Sequence, residues 1–481
     1  MSEVKKALIY SALNKYLLQL ISFFTIVVLS RLLTPEETGT FAVVSSLAFV
    51  ATSLRTFGVG EFLMREKAID TQVVRSVTGV MVLMSWSLGA FFLGVAPWVA
   101  GFYSTPVLAD LLMIASIPFF LSPMVSIPFS LLARSMSFDK ILKVELCGSL
   151  ARNGGSIGLV LLGYSYYGLA WGMAAGVFVQ FLVISFYRPE YMDWLPSFRN
   201  MGRIFSAGMK ISISNMFLMS SKNSNDLVLG RMASMGDVGI FSRGLGLVYF
   251  LNDMVVKAVG PVALPHLSKV KRDGGDVAQA YLKATALIGA VALPMFAVVT
   301  LTSHAMVVGL FGPQWVFSAE LASILAIWAM TQCLHCFAKQ GLLTVKRDTF
   351  FLIKEAQSFF VKILLIILVA PSGLVAVAWA VAVSGVIDLI VASYLLKLAL
   401  GIKFREMLAS YLPNFEVAGL CWISLYLLKS LVALDEMNEW LSLLITVLTM
   451  LPVWLFALKI THNPLWPYLV PVLRKLRLPV R

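Results

Sequence analysis

Apolar runs long enough to cross a bilayer follow one another along the whole of this 481-residue chain. A hydrocarbon core of roughly 30 Å takes about 20 apolar residues per helix. In lipid, a helix satisfies its own backbone hydrogen bonds. The runs predict helices over 11–33, 38–60, 76–100, 107–132, 141–163, 165–187, 206–229, 238–262, 281–303, 317–338, 351–370, 373–396, 414–432 and 440–460. The expected fold is therefore an all-α polytopic membrane protein with about 14 transmembrane helices. Composition points the same way. Hydrophobic residues make up 59% and charged residues 13%, where soluble chains average about 45–50% and about 25%. No hydrophilic stretch is long enough for a soluble catalytic domain. The breaks carry turn chemistry or charge, as in Thr34-Pro35-Glu36-Glu37, Ser104-Thr105-Pro106, Arg188-Pro189-Glu190 and Pro371-Ser372-Gly373.

Basic residues set the expected orientation. Lys and Arg concentrate in cytoplasmic loops of membrane proteins. With the N-terminus inside, the even-numbered connections hold Arg65, Lys67 and Arg75, then Arg134, Lys140 and Lys143, and later Lys269, Lys271, Arg272, Lys346 and Arg347. The connections near 101–106, 164–167 and 304–316, expected outside, hold no Lys or Arg. Both termini are expected in the cytoplasm, and the net charge of +13 is expected in these loops rather than in a nucleic-acid site. Asn14, Lys15 and Gln19 interrupt the first apolar run, and no small-residue cleavage site follows. That run is expected to be a permanent helix rather than a cleaved signal.

Catalytic and cofactor signatures are missing: there is no P-loop, His-Glu-x-x-His or Gly-x-Ser-x-Gly. No enzyme activity, cofactor or metal is expected. Cys147, Cys333, Cys336 and Cys421 all sit in apolar runs, which argues against a disulfide framework. Cys333-Leu334-His335-Cys336 has metal-like spacing, but without a second pair it reads as helix packing.

An internal repeat organises the chain. Arg31, Gly39 and Phe41 match Arg231, Gly239 and Phe241 at an offset of 200. Ala109-Asp110-Leu111 matches Ala319-Glu320-Leu321 at 210, where Glu145 also pairs with Glu355 and Arg152 with Lys362. An offset of an even number of helices makes the halves parallel repeats. The expected organisation is an N-terminal lobe over 1–187, a cytoplasmic linker over 188–205, a C-terminal lobe over 206–398, and helices 13 and 14 with a basic tail over 399–481.

Ionisable residues at membrane depth are costly and usually face a partner or a cavity. Here the cations outnumber the acids. Lys15, Arg31, Arg55, Arg152, Lys210, Lys222, Arg231, Arg243, Lys257, Lys339 and Lys362 stand against Glu61, Glu145, Asp226, Asp253, Glu355 and Asp388. Long side chains near helix ends can snorkel to the interface. Arginines can instead grip phosphate bidentately. The seventh helix is the most polar, with Asn215, Lys222, Asn223, Asn225 and Asp226 ahead of Arg231. Interhelical hydrogen bonding accounts for some of its serines. The charges and amides are read as lining a hydrated cavity, joined by Asn14 and Gln19 of the first helix. A cationic cavity suits an anionic cargo, above all a diphosphate. Arg31, Arg55, Arg152, Lys222 and Arg231 are the candidate binding residues, and Asp226 is the candidate for ion coupling or for pairing with Lys222. Trp171, Tyr164, Tyr166, Tyr167, Tyr249 and Trp328 could stack on sugars or anchor helix ends.

Two segments carry a family resemblance. One is Ser30-Arg31-Leu32-Leu33-Thr34-Pro35-Glu36-Glu37-Thr38-Gly39-Thr40-Phe41. The other is Asp226-x-x-x-x-Arg231 followed by Val238-Gly239-Ile240-Phe241-Ser242-Arg243. Together they resemble the Wzx-type polysaccharide and O-antigen flippases, the lipopolysaccharide/colanic-acid exporter branch of the multidrug/oligosaccharidyl-lipid/polysaccharide (MOP) superfamily. That resemblance implies two six-helix lobes in a V shape plus two C-terminal helices, in the bacterial inner membrane. It implies movement of undecaprenyl-diphosphate-linked oligosaccharide to the periplasmic leaflet, with a polymerase and a chain-length regulator as partners. Related lipid II flippases use arginines of the first two helices, and Arg31 and Arg55 look like the matching positions. Thr34-Pro35 stands where that family's first-helix motif has its acidic tail. A cation-coupled multidrug antiporter of the same superfamily is the alternative. It would want acidic cavity residues and disfavour this cationic surplus.

Overall fold

Helices account for almost all of the described residues, which contain no strands. The computed structural model describes residues 3–55, 63, 69–189, 192–198 and 209–475. Ten helices lead from the start of the chain: α1 (Glu3–Leu32), α2 (Pro35–Arg55), α3 (Thr71–Phe102), α4 (Val107–Arg134), α5 (Phe138–Leu159), α6 (Ser165–Tyr187), α7 (Met209–Met232), α8 (Met235–Arg272), α9 (Val277–Phe311) and α10 (Val316–Leu334). Six more follow: α11 (Ala338–Thr344), α12 (Asp348–Val369), α13 (Leu374–Leu400), α14 (Phe404–Val432), α15 (Glu439–Ile460) and α16 (Trp466–Lys475). Among the described residues, nine stretches are long and apolar enough to cross a membrane, with α5 and α6 joined in one of them. The chain is a multi-span helical membrane protein. Two helices outside the nine stretches carry expected intramembrane charges: α7 has Lys222, Asp226 and Arg231, and α12 has Glu355 and Lys362.

Local chemistry starts and stops the helices. Asp70 caps α3 by accepting from the Val73 amide, and Asp276 caps α9 by accepting from Ala278 and Gln279. At the start of α2, Thr34 and Glu37 cap each other reciprocally, and at the start of α8 Ser234 and Asp237 do the same. These two caps are 200 residues apart, at the first offset of the repeat. The second offset recurs in the backbone. Met136 and Lys346 both have positive φ, at 56° and 59°, as do Gly163 and Gly373, at 89° and 96°. Gly163 and Gly373 sit in the breaks before α6 and α13, where the left-handed region suits glycine.

The chain forms two compact units, Met1–Gly239 and Ile240–Arg481. In the first, α2 packs along α7, α3 along α4, and α5 along α6. The starts of α2 and α8 cross at backbone contact. A Cβ on Gly39 would stand 1.8 Å from the Met235 carbonyl oxygen, and one on Gly239 would stand 1.9 Å from that of Pro35. The segment after α6 docks on the start of α3. Met192 joins a core with Leu63, Val74, Val77 and Leu131, and the Arg75 guanidinium holds Asp193 at 2.5 Å. In the second unit, α9 packs against α10 and α14, and α13 against α10 and α12. α14 and α15 close an apolar core of Ala290, Val417, Cys421, Ala457 and Leu458.

Candidate functional site

Arg152 lies in the middle of α5, where an unpaired charge in lipid would be costly. Its neighbour α6 has no side chain at Gly176, and a Cβ there would stand 2.8 Å from the Arg152 Cβ. That gap gives the arginine stem room between the two helices. Arg152 lines a cavity of 240 Å³ walled by Ala48, Phe49 and Thr52 of α2, Ala115, Phe119 and Ser122 of α4, and Met173 of α6. Arg152 is the one cation among the described lining residues. Apolar walls with a few polar groups and one arginine suit part of an anionic amphiphile.

Asn14 of α1 is tied to the helix that carries Arg152. It is buried and donates its amide to Glu145, a carboxylate two turns before Arg152 on the same helix. The charges of Glu145 and Arg152 act on each other. Asn14, Glu145 and Arg152 thus form one polar group joining α1 and α5. Gln19 is half-buried one turn or so further along α1. The backbone of Arg55 ends α2, three residues beyond Thr52, and its side chain lies outside the described residues, as does Glu61.

The polar stretch of α7 is organised differently. Ser46 of α2 donates to Asp226 at 2.7 Å and to Asn223 at 3.3 Å, while Asn223 donates back to the Met219 carbonyl. The Tyr103 hydroxyl donates to the Leu227 carbonyl at 3.1 Å. Asn225 is fully buried, and Asn215 is half-buried. Much of this polarity therefore ties α7 to α2 and α3. Lys222 is exposed, and both it and Asp226 take part in further contacts. Arg231, in the last turn, lies 5.3 Å over the Phe102 ring. Arg31 is exposed in the last turn of α1 and is also engaged. Arg31, Lys222 and Arg231 are not among the described lining residues of the Arg152 cavity.

The repeat positions in the second unit have another environment. Lys362, the counterpart of Arg152, is only 3% exposed and lies 5.6 Å from the Trp328 ring, which meets Tyr249 edge-on. Arg243 sits over Phe311 and Trp315 at 5.4 and 4.8 Å, a cation–π site rather than an open cavity. His335 occupies the break between α10 and α11. Its Nδ1 is 3.0 Å from the Tyr281 hydroxyl and 3.3 Å from that of Tyr411, and its Nε2 is 2.8 Å from Ser393. Cys333 lies 3.4 Å from Asn252, and all four cysteines are free. Both ring nitrogens of His335 are thus engaged in binding α9, α13 and α14 together. Of the aromatic residues, Tyr167 donates to Asp110, while Tyr164 and Trp171 border an apolar groove.

Comparison with known proteins gives these features a family. The sequence pattern of the polysaccharide biosynthesis protein family matches residues 28–320, more than half of the chain. The chain belongs to that family. Among similar proteins, the succinoglycan biosynthesis transport protein ExoT of Rhizobium meliloti (strain 1021) is 28% identical over 318 residues. That match covers 64% of this chain and 62% of ExoT, less than two thirds of the relative's own length. The teichuronic acid biosynthesis protein TuaB of Bacillus subtilis (strain 168) is 23% identical over 335 residues, 66% of this chain and 67% of TuaB. Among solved structures, the inward closed conformation of the lipid II flippase MurJ superposes with a TM-score of 0.73 at 15% identity, over 95% of this chain and 99% of that one. An inward-facing MATE family multidrug resistance transporter of the MOP superfamily gives 0.62 at 14% identity, over 81% and 99%. At these identities the likeness concerns the fold, which this polysaccharide biosynthesis protein has in common with MOP-superfamily transporters.

Proposed function

We propose that this polysaccharide biosynthesis protein is a flippase for undecaprenyl-diphosphate-linked oligosaccharide. It would carry repeat units from the cytoplasmic to the periplasmic leaflet of the bacterial inner membrane, by alternating access of two six-helix lobes. The lobes correspond to 1–187 and 206–398, joined through 188–205, with both termini in the cytoplasm. The observation that carries the reading is Arg152, a cation bordering a cavity inside a membrane-embedded helical unit. Family membership and the transport name of ExoT support it.

In this account Arg152 meets the diphosphate first, and a guanidinium provides the paired donors that a phosphate accepts. Thr52 and Ser122 add hydroxyls on the same wall, and Arg55 lies at the end of the helix that carries Thr52. Arg31, Lys222 and Arg231 belong to other stages of the path, at the ends or the exposed face of α1 and α7. Asp226, held by Ser46, is the coupling group suggested by the sequence. The polyprenyl tail stays in lipid, and a polymerase and a chain-length regulator receive the product.

The test is lipid extraction from a strain lacking this protein, with mass analysis of undecaprenyl-linked intermediates. Complete repeat units should accumulate, and the wild-type protein should clear them while Arg152→Ala does not. Normal intermediates together with altered sensitivity to cationic drugs would favour a multidrug antiporter instead.

A further inference from the structure

We propose that α16 is an interfacial helix whose outer face, together with Lys283 of α9, binds the headgroup of an anionic phospholipid in the leaflet where α15 ends. The proposal needs only the membrane fold, not the cargo proposed above. α15 is one of the nine stretches able to cross a membrane, and only residues 461–465 separate it from α16. α16 therefore starts where a spanning helix leaves the hydrocarbon. Its ten residues rise about 15 Å, half of a hydrocarbon core of roughly 30 Å, so α16 does not span. The turn before it is fixed. Asn463 is 1% exposed and donates to Asn414 at 2.8 Å, and Asn414 donates to the Ala286 carbonyl at 2.9 Å. The Asn463 side-chain oxygen accepts from the Leu465 amide. These amides tie the end of α15 to α14 and α9. Leu465, Trp466 and Leu469 then pack on the apolar core that α14 and α15 close.

The other side of α16 is open. Pro467, Tyr468, Pro471 and Arg474 are exposed, as is Lys283 near the start of α9. The Lys283 ammonium lies 5.6 Å from the centre of the Tyr468 ring, which is 51% exposed. Among the described residues, neither Lys283 nor Arg474 has an acidic partner, and the Tyr468 hydroxyl has no hydrogen-bond partner. The sequence keeps this end of one sign. Residues 440–481 hold Lys459, Arg474, Lys475, Arg477 and Arg481 and no Asp or Glu. Amphipathic helices with basic residues on the polar face lie in the headgroup layer, and Trp and Tyr favour that depth. A phosphodiester there carries one negative charge and two free oxygens. Arg474 offers it paired donors, Lys283 a point charge and Tyr468 a hydroxyl. The attraction of juxtamembrane cations for anionic lipid fades within a Debye length, so it acts on lipid at this depth. A free phosphate has no chains to hold it there. A lipid held here bridges the start of α9 and the segment after α15, and so steadies the second compact unit.

Thermal unfolding of the full-length protein in neutral detergent, titrated with phosphatidylglycerol or with phosphatidylcholine of the same chains, reads the site. Phosphatidylglycerol should raise the melting temperature saturably, and phosphatidylcholine should not. The double variant Lys283→Gln, Arg474→Gln should need about 25-fold more phosphatidylglycerol for half of the effect, roughly fivefold for each cation lost. Its own melting temperature without lipid does not enter, because the lipid-induced shift is what is compared. Lys140→Gln, in the first unit, should respond as the wild type does. Sodium chloride at about 0.5 M should weaken the wild-type response. Glycerol phosphate, which has the anion without the chains, should give no shift. Equal shifts with both lipids, an unchanged response in the double variant, or a shift with glycerol phosphate would overturn the proposal. So would displacement of phosphatidylglycerol by an equal amount of undecaprenyl phosphate, which would make this a site for the carrier lipid. A protein that shows the lipid response but moves no lipid-linked glycan would leave the phospholipid site standing and remove the transport reading instead.

Discussion

Single residues carry the chemistry of this protein, and their surroundings separate roles that the sequence presents as equal. Arg152 and Lys362 occupy the same place in the repeat, yet one borders a cavity and the other is buried against Trp328. Export of surface polysaccharide should therefore fail in Arg152→Ala at normal membrane abundance, and Arg152→Lys should restore only part of it, because an ammonium lacks the planar fork. Quantifying surface glycan in the complemented strains checks both. Asp193 makes a different prediction, outside the membrane. The Leu195 amide and the Arg75 guanidinium hold its carboxyl below its usual 3.8. A carboxylate with a depressed folded pKa stabilises the fold above its unfolded pKa and loses that contribution as pH falls through the folded value. Asp193→Asn should lower the melting temperature at pH 7, and the gap should close below about pH 4. A gap that persists undiminished as pH falls well below 3.8 would contradict the role given to the Arg75–Asp193 pair.

Helices and their crossings were readable to very different extents. The apolar runs announce the membrane helices because burial in lipid selects composition, and the reciprocal caps at Thr34–Glu37 and Ser234–Asp237 follow from local spacing. The pairing of α7 with α2 was not readable. Ser46 and Asp226 are 180 residues apart, and nothing local says that a polar stretch will face a serine rather than water. Lys354, beside Glu355 near the start of α12, has no local signature, since its ion pair depends on Asp388 from the next helix. His335 serves helix packing, as its apolar run suggests, but through three hydrogen-bonding side chains gathered from separate helices. The glycine crossing of α2 and α8 gives the prediction at this scale. Gly39→Ala must push the helix starts apart and should cost about 1–3 kcal/mol, as overpacking does elsewhere. Thermal unfolding of the purified variant in detergent checks this, and wild-type stability would mean that the crossing is looser than the 1.8 Å approach implies.

At the scale of the whole molecule, the chain forms two compact units with different interiors. The repeat appears in the caps, in the positive-φ residues and in the placement of Glu145 and Glu355. In the first unit a cation borders a cavity; in the second, cations and acids neutralise one another. The most direct measurement is transfer itself. Purified protein in proteoliposomes, loaded with a polyprenyl-diphosphate oligosaccharide in one leaflet, can be followed by the access of an external glycosidase to the sugar. The account predicts protein-dependent transfer that Arg152→Ala abolishes. Transfer no faster than in protein-free vesicles, or unchanged in Arg152→Ala, would contradict it.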